Sequence, residues 1–391
     1  MKTATHCVHI EDERDPYNAV VPPLYQTATF RQPSALEFGE YDYTRTANPT
    51  RKLLEQQLAR LEGGQFACAY TSGMAALTAL TRLVEAGEEI VAGDDLYGGT
   101  VRLLGQCVSR HGVGVRYVDA TDLEAVRRAL VPRTKLLLIE TPTNPLLHVA
   151  DIRALSEIAR DCGALFAVDN SMLSPCLQQP LALGADIVVH SATKFLCGHS
   201  DVTAGALVTN EENLYRRLAF QQNAEGAGLA PFEAWLLLRG IKTLALRVER
   251  QNESAPKVAE YLARHPAVER VYYPGLPTHP GHDTQRRQAT GDGAVLSFTT
   301  GDAELSRRVA ETTRLFTLTV SFGAVGSAIS LPFRMSHASI PAQLKDRLAP
   351  PPDLVRISVG IEDVDDLIAD LAQAFASAAA SAAHVKAAGS V

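Results

Sequence analysis

Short apolar runs and segments of helical period alternate along most of the chain. Apolar runs stand at Glu89–Ala92, Val115–Val118, Lys135–Ile139, Leu165–Val168, Ile187–Val189 and Ala206–Val208. Several are too continuously apolar for a strand with one wet face, which predicts a parallel sheet covered on both sides. Segments of helical spacing separate them, for instance Ser72–Val84 and Asp151–Ala159. A helix with Leu53, Leu54, Leu58 and Leu61 on one face precedes the series, with Thr50 as its expected N-cap. Such alternation predicts a doubly wound α/β domain. A long amphipathic stretch around Pro231–Tyr261 leads to further strand candidates at Val268–Tyr272, Ala294–Phe298 and Val355–Val359. The first residues, with Pro16, Pro22, Pro23 and Pro33, show little periodicity and read as an extended arm. The Ala/Ser-rich tail after Phe375 reads as a frayed helix or as disorder. The expected organisation is an arm over 1–46, a large domain with a mostly parallel sheet over 47–245, and a smaller α+β domain over 246–391.

Composition narrows the function classes. The chain has 391 residues, enough for one large and one smaller domain, and 46% are apolar. A net charge of −7 without any basic run argues against a nucleic-acid surface. No apolar stretch approaches the ~20 residues of a membrane span. Met1–Pro16 is polar and lacks the apolar region of a secretory signal. The six cysteines form no CxxC pair, and their spacing suggests neither a zinc site nor a disulfide framework; free thiols in a reducing cytoplasm are expected. Only eight lysines occur, which shortens the search for a nucleophilic amine.

In open parallel sheets, ligands bind beyond the carboxyl ends of the strands. Three strand ends are rich in polar groups: Glu140-Thr-Pro-Thr-Asn144, Asp169-Asn170 and His190-Ser191-Ala-Thr193-Lys194. A lysine in a partly dry pocket loses its proton more easily, and the hydroxyls of Ser191 and Thr193 can donate to a phosphate. The competing reading is a loop lysine among turn residues. Asp169 can pair with a protonated ring nitrogen or simply cap the next turn. Ser72-Gly73-Met74 opens an apolar helix, and its free N–H groups suit a phosphate, though plain helix starts are common. Tyr97 can stack on a planar ring or anchor a turn. Tyr43 and Arg45 suit a phosphate or carboxylate, or an exposed turn. His190, His199 and His337 read as structural hydrogen-bonders, and His279-Pro-Gly-His282 lacks the companions of a metal site; no metal is expected.

In this order the signals resemble the Cys/Met-metabolism family of type I pyridoxal-5′-phosphate (PLP) enzymes. That family includes cystathionine γ-synthase, cystathionine γ-lyase, cystathionine β-lyase, methionine γ-lyase and the O-acylhomoserine sulfhydrylases. The resemblance runs from Tyr43–Arg51 to Leu354–Leu367 and is most specific at His190–Leu196, His199–Asp201 and Leu238–Leu244. It implies the aspartate aminotransferase-like PLP-dependent transferase fold, with the cofactor in the 47–245 domain. Lys194 matches the lysine that carries PLP as a Schiff base. Asp169 matches the partner of the pyridine nitrogen, and Asn144 the residue beside the ring hydroxyl. Ser72, Gly73, Met74, Ser191 and Thr193 match the phosphate cup. Tyr97 matches the tyrosine stacked on the ring and, by that resemblance, serves as the acid in a catalytic set with Lys194 and Asp169. Tyr43 and Arg45 match a pair that reaches the phosphate from a neighbouring subunit, which implies a homo-oligomer, a dimer of dimers. Ser321 and Arg356 match the substrate-carboxylate site.

The chain also departs from the family. Met172 follows Asp169-Asn170-Ser171 where many members have Phe or Trp, and Cys197 replaces a Gly or Asn. Val320 and Gly326 stand where glutamates are common. An isopropyl group at 320 cannot compensate a desolvated ammonium, which favours a thioether with an uncharged tail. The expected activity is therefore γ-elimination from methionine. Cystathionine γ-lyase or γ-synthase activity is the alternative, and Gly99 after Tyr97-Gly98 points that way. A rival of another class, a PLP-fold subunit that binds without catalysis, conflicts with the intact Lys194, Asp169, Tyr97 and Arg356.

Overall fold

The computed structural model describes residues 1–10, 15–338, 340 and 342–388. Seven strands form the large sheet: β1 Phe66–Tyr70, β2 Glu89–Gly93, β3 Gly114–Val118, β4 Thr134–Glu140, β5 Leu165–Asp169, β6 Ile187–His190 and β7 Gly205–Thr209. Their spatial order is β1-β7-β6-β5-β4-β2-β3. The block from β3 to β6 is parallel, whereas β7 runs antiparallel to both β6 and β1. Every residue of β2, β6 and β7 is buried, which is why these strands read as unbroken apolar runs. β1 was not expected from the pattern; Phe66-Ala-Cys-Ala-Tyr70 has few β-branched residues.

A second sheet has five strands, β8 Arg270–Tyr272, β9 Val295–Thr299, β10 Thr317–Leu318, β11 Ala328–Ser330 and β12 Val355–Ser358, in the order β10-β11-β12-β9-β8. It is antiparallel except for β10 beside β11. One apolar core runs from Leu58 and Val208 on the large-sheet side to Phe298 and Ile357 of the second sheet. The two sheets therefore pack as one unit, and their junction walls the site.

Local corrections have plain causes. The helix Pro49–Glu62 is capped by Asn48, whose side chain accepts from Thr50 N–H, so Thr50 is already inside the first turn. Pro at N1 explains the earlier start. The stretch Pro231–Tyr261 is two helices, Pro231–Ile241 and Leu244–Arg264, parted at Lys242-Thr243. The arm is not wholly extended: Thr3–Val8 is helical and buries Cys7. The Ala/Ser-rich tail is helical as part of Val364–Ala388, and its last residues, 389–391, lie outside the described ones. Among the described residues no helix is long and apolar enough to cross a membrane.

Candidate active site

The carboxyl ends of β4, β5 and β6 bring Glu140, Asp169 and the Ser191–Lys194 loop to one pocket of about 460 Å³ at the junction of the two sheets. That volume suits a small-molecule site. Lys194 sits in its wall. The Nζ donates to Ser321 Oγ over 2.7 Å and lies 4.9 Å from the centre of the Phe322 ring. Burial, and then the Arg356 cation, lower its pKa to about 8, against the pull of Asp169 and Glu140. A large share of neutral amine at mildly alkaline pH follows, and neutral amine is the form that attacks a carbonyl carbon.

Arg356, on β12, is buried. It donates to Asn144 Oδ1 over 2.7 Å and to Ser321 O over 2.8 Å, and its guanidinium lies 5.2 Å from the Phe322 ring centre. Burial lowers its pKa to about 10, which still leaves a cation at neutral pH. Lys194 and Arg356 thus both lie against Phe322, whose ring face attracts cations.

Asp169 closes β5 beneath the pocket and accepts from Ser171 N–H over 2.9 Å. Burial raises its pKa, and the Ser171 hydrogen bonds work against that rise. Glu140 is its register partner on β4. Burial, then the neighbouring Asp169, push the Glu140 carboxyl well above the usual range. Two buried carboxyls side by side favour a cationic guest or a shared proton.

The phosphate-type features converge opposite. The helix Gly73–Thr81 is capped by Ser72, whose Oγ accepts from Ala75 N–H over 3.1 Å. The first-turn amides have no intrahelical acceptor. A Cβ on Gly73 would stand 3.0 Å from Ser191 Oγ, so glycine leaves the cradle open there. Met74 and Thr193 also line the pocket, but the Thr193 hydroxyl is engaged with Ala204 N–H and C=O. Tyr97 covers one side; its N–H donates to Glu140 Oε2 over 3.2 Å, and its ring meets His337 edge-on at 6.3 Å. Burial, then Arg356, lower the His337 pKa to about 4, which keeps that imidazole neutral.

Of the residues singled out from sequence, Ser72, Gly73, Met74, Tyr97, Asn144, Asp169, Ser191, Thr193, Lys194, Val320, Ser321 and Arg356 meet at this pocket. Tyr43 and Arg45 do not. They line a separate open cleft with Arg51 and Gly228, where Arg45 donates to Asn223 O and Oδ1 over 2.8 and 2.7 Å. Phe322, Glu140 and Arg102 also line the pocket and carried no role in the sequence reading. Glu140 had a signal, since it ends an apolar run; Phe322 and Arg102 had none that distinguishes them from core and surface residues. No cluster of three or more metal-ligating side chains occurs among the described residues.

A planar pyridine bearing an aldehyde and a phosphate fits this donor set. An amine of lowered basicity is available for the aldehyde, a buried carboxylate for the ring nitrogen, and a helix start with hydroxyls for the phosphate. The sequence profile of the Cys/Met metabolism PLP-dependent enzyme family matches residues 4–376. The chain belongs to that family. It is a PLP-dependent enzyme of carbon–sulfur chemistry on sulfur amino acids. The chain is 57% identical over 372 residues to the chloroplastic cystathionine beta-lyase of Arabidopsis thaliana, covering 95% of this chain and 80% of that one. It is 46% identical to the cystathionine gamma-lyase of Bacillus subtilis, covering 96% and 99%. The crystal structure of cystathionine gamma synthase from Xanthomonas oryzae pv. oryzae in complex with cystathionine superposes with a TM-score of 0.94 at 41% identity, covering 97% and 99%. The PLP fold of type I, with its large sheet and smaller domain, is confirmed by these matches.

Proposed function

We propose that this family member cleaves cystathionine by β-elimination, giving homocysteine, pyruvate and ammonia with uptake of one water. The observation that carries this reading is the 57% identity to a cystathionine beta-lyase over nearly the whole chain. PLP, attached at the Lys194 amine, supplies the electron sink for the pair left behind when the α-proton departs. In this reading Arg356 and Ser321 hold the substrate α-carboxylate, a role that a guanidinium fork suits. The Lys194 amine would take the α-proton as base. Asp169 would keep the ring nitrogen protonated, Tyr97 would cover the ring and donate a proton to the departing sulfur, and Asn144 would hold the ring hydroxyl. Gly73, Met74, Ser72, Ser191 and Thr193 form the phosphate side. Arg102, exposed at the pocket edge, is placed to meet the distal carboxylate.

Methionine elimination, expected from Val320, gives way to cystathionine on two grounds. The relatives described above are named for cystathionine. Val320 is also 52% exposed at the pocket rim of the single chain, so an ammonium beside it would keep part of its water and the desolvation penalty is smaller than a buried position implies. Cleavage on the γ-side, or γ-replacement on an O-acyl-homoserine, is the second reading, favoured by the similarity to the Bacillus and Xanthomonas enzymes.

We also propose that Tyr43 and Arg45 serve a neighbouring copy's phosphate, in a dimer that pairs into a tetramer. Their place in a cleft separate from their own pocket supports this, as does the apolar exposure of Tyr17, Val20, Leu36 and Phe38 in the arm. The arm, the 47–245 region and the 246–391 region remain our proposed domain division. We place the enzyme in the cytoplasm on the chemistry of its six free cysteines. The deciding experiment incubates holoenzyme with L-cystathionine, L-methionine and O-acyl-homoserines and identifies keto acids and thiols by mass spectrometry. Pyruvate with homocysteine is expected. Cysteine with 2-oxobutanoate from cystathionine, or methanethiol as the faster product, would overturn the reading.

A further inference from the structure

A buried polar belt underlies the three strand ends that carry the site. Glu62, the last residue of the helix Pro49–Glu62, is 1% exposed, and so is His190. Glu62 Oε1 lies 2.5 Å from His190 Nε2 and accepts from Asn170 Nδ2 over 2.9 Å. Asn170 Nδ2 also donates to Gln178 O over 2.8 Å. In return, Gln178 Nε2 donates to Asn170 Oδ1 over 3.1 Å and to Thr141 O over 2.9 Å. Thr141 follows Glu140 at the end of β4. Asn170 follows Asp169 at the end of β5. His190 closes β6 and precedes Ser191.

The belt lies on the sheet face away from the helix Gly73–Thr81. Two residues on from Val188, His190 shares its strand face, and Val188 packs with Leu54 and Leu58 of the helix Pro49–Glu62. Ile187 and Val189 instead pack with Leu77 and Leu80 of the helix Gly73–Thr81. Glu62 is an expensive residue for its place. A carboxylate at a helix C-terminus meets the negative end of the macrodipole. The second oxygen, Oε2, is buried without a hydrogen-bond partner. Apolar side chains of similar volume often replace such buried pairs at no loss of stability. What they cannot do is bind the backbone and side chains of three adjacent strand ends in fixed register.

We propose that Glu62 and His190 are positioning residues of the cofactor site, fixing through Asn170 and Gln178 the spacing of the strand ends that carry Asn144, Asp169 and Lys194. Neither touches the pocket; they act through Asp169 and the Ser191–Lys194 loop. Substrate-carboxylate groups Ser321, in the connection between β10 and β11, and Arg356, on β12, belong to the second sheet and stand outside the belt. The belt therefore acts mainly on cofactor affinity and turnover, and reaches substrate affinity only indirectly, through the Arg356–Asn144 and Lys194–Ser321 hydrogen bonds.

The test titrates apoenzyme with PLP, reading the dissociation constant by equilibrium dialysis, and follows turnover of the reconstituted enzyme. For Glu62→Ala and for His190→Ala, PLP binding should weaken about ten-fold or more and kcat should fall about ten-fold, while KM for the amino-acid substrate changes less than about three-fold. Glu62→Gln keeps an acceptor oxygen for Asn170 and should restore PLP affinity to within about three-fold of wild type. Should the alanine variants fail to fold, Glu62→Leu combined with His190→Leu replaces both polar partners at once, the change that costs least stability. A folded double variant with weakened PLP affinity and low kcat supports the proposal. A folded alanine variant or a folded double leucine variant with PLP affinity and kcat within about two-fold of wild type overturns it, as does a lowered melting temperature with unchanged PLP affinity in those variants.

Discussion

Lys194 Nζ lies 2.7 Å from Ser321 Oγ, and Ser321 reaches that position with a φ of 84°. A serine in that left-handed region is uncommon, and such residues persist where the surroundings hold them. Here Arg356 holds the Ser321 carbonyl. The hydroxyl thereby sets the lysine's direction. We expect Ser321→Ala to retain PLP while kcat falls on the order of ten-fold, equivalent to about 1.4 kcal/mol of transition-state positioning. Steady-state kinetics with full-spectrum absorbance checks this; a kcat within about two-fold of wild type would show that the lysine needs no such tether.

The lowered Lys194 pKa, about 8, has a kinetic consequence for cofactor capture. Neutral amine attacks the PLP aldehyde, so the capture rate should rise with pH and level off above a midpoint near 8. Asp169 pulls this pKa up, and Asp169→Asn should shift the midpoint downwards. Rapid mixing of apoenzyme with PLP across pH 6 to about 11 measures both; a midpoint near the about 10.4 of a hydrated lysine would contradict the burial argument.

Much of this site was legible in the sequence, because an open sheet delivers its functional groups at strand ends and three such ends were rich in polar residues. Lys194, Asp169 and Asn144 were readable for that reason. Phe322, by contrast, looks like any apolar residue in a loop; only the approach of Lys194 and Arg356 from two sheets gives it meaning. Strands β10 and β11 were missed because each spans only two or three residues, too few for a period to emerge. The expectation drawn from Val320 took the side chain as buried beside the substrate, whereas it stands half in solvent, which sequence position does not reveal.

That exposure makes Val320→Glu a weak substitution. A glutamate there remains hydrated and interacts with a distal ammonium through high dielectric, worth about 0–1 kcal/mol. We expect the specificity constant for cystathionine to rise less than about five-fold, and that for methionine to change little. A gain of about a hundred-fold for cystathionine would return position 320 to the centre of substrate choice.

If Arg45 serves the neighbouring copy's phosphate, inactive variants should complement each other. Lys194→Ala alone should bind PLP without covalent attachment and show no elimination. Arg45→Ala alone should bind PLP weakly. In a mixed dimer, one of the two sites combines an intact Lys194 with an intact Arg45 from its neighbour. Activity should therefore appear on co-folding the two variants, up to about a quarter of wild type for random pairing of equal amounts. A purified heterodimer without activity would place Arg45 in service of its own chain.

The position of β1 bears on how the chain is made. Its pairing partner is β7, and roughly 130 residues separate Tyr70 from Gly205. Ribosomes add about 5–20 residues per second, so roughly 7 to 26 s pass between the emergence of the two strands. During that interval Phe66-Ala-Cys-Ala-Tyr70 has no β7 to pair with, while the parallel block from β2 to β6 is still being delivered. The nascent polypeptide thus carries an apolar edge segment whose hydrogen-bonding groups wait for a late-arriving strand, and shielding that segment during translation becomes a requirement of the topology itself.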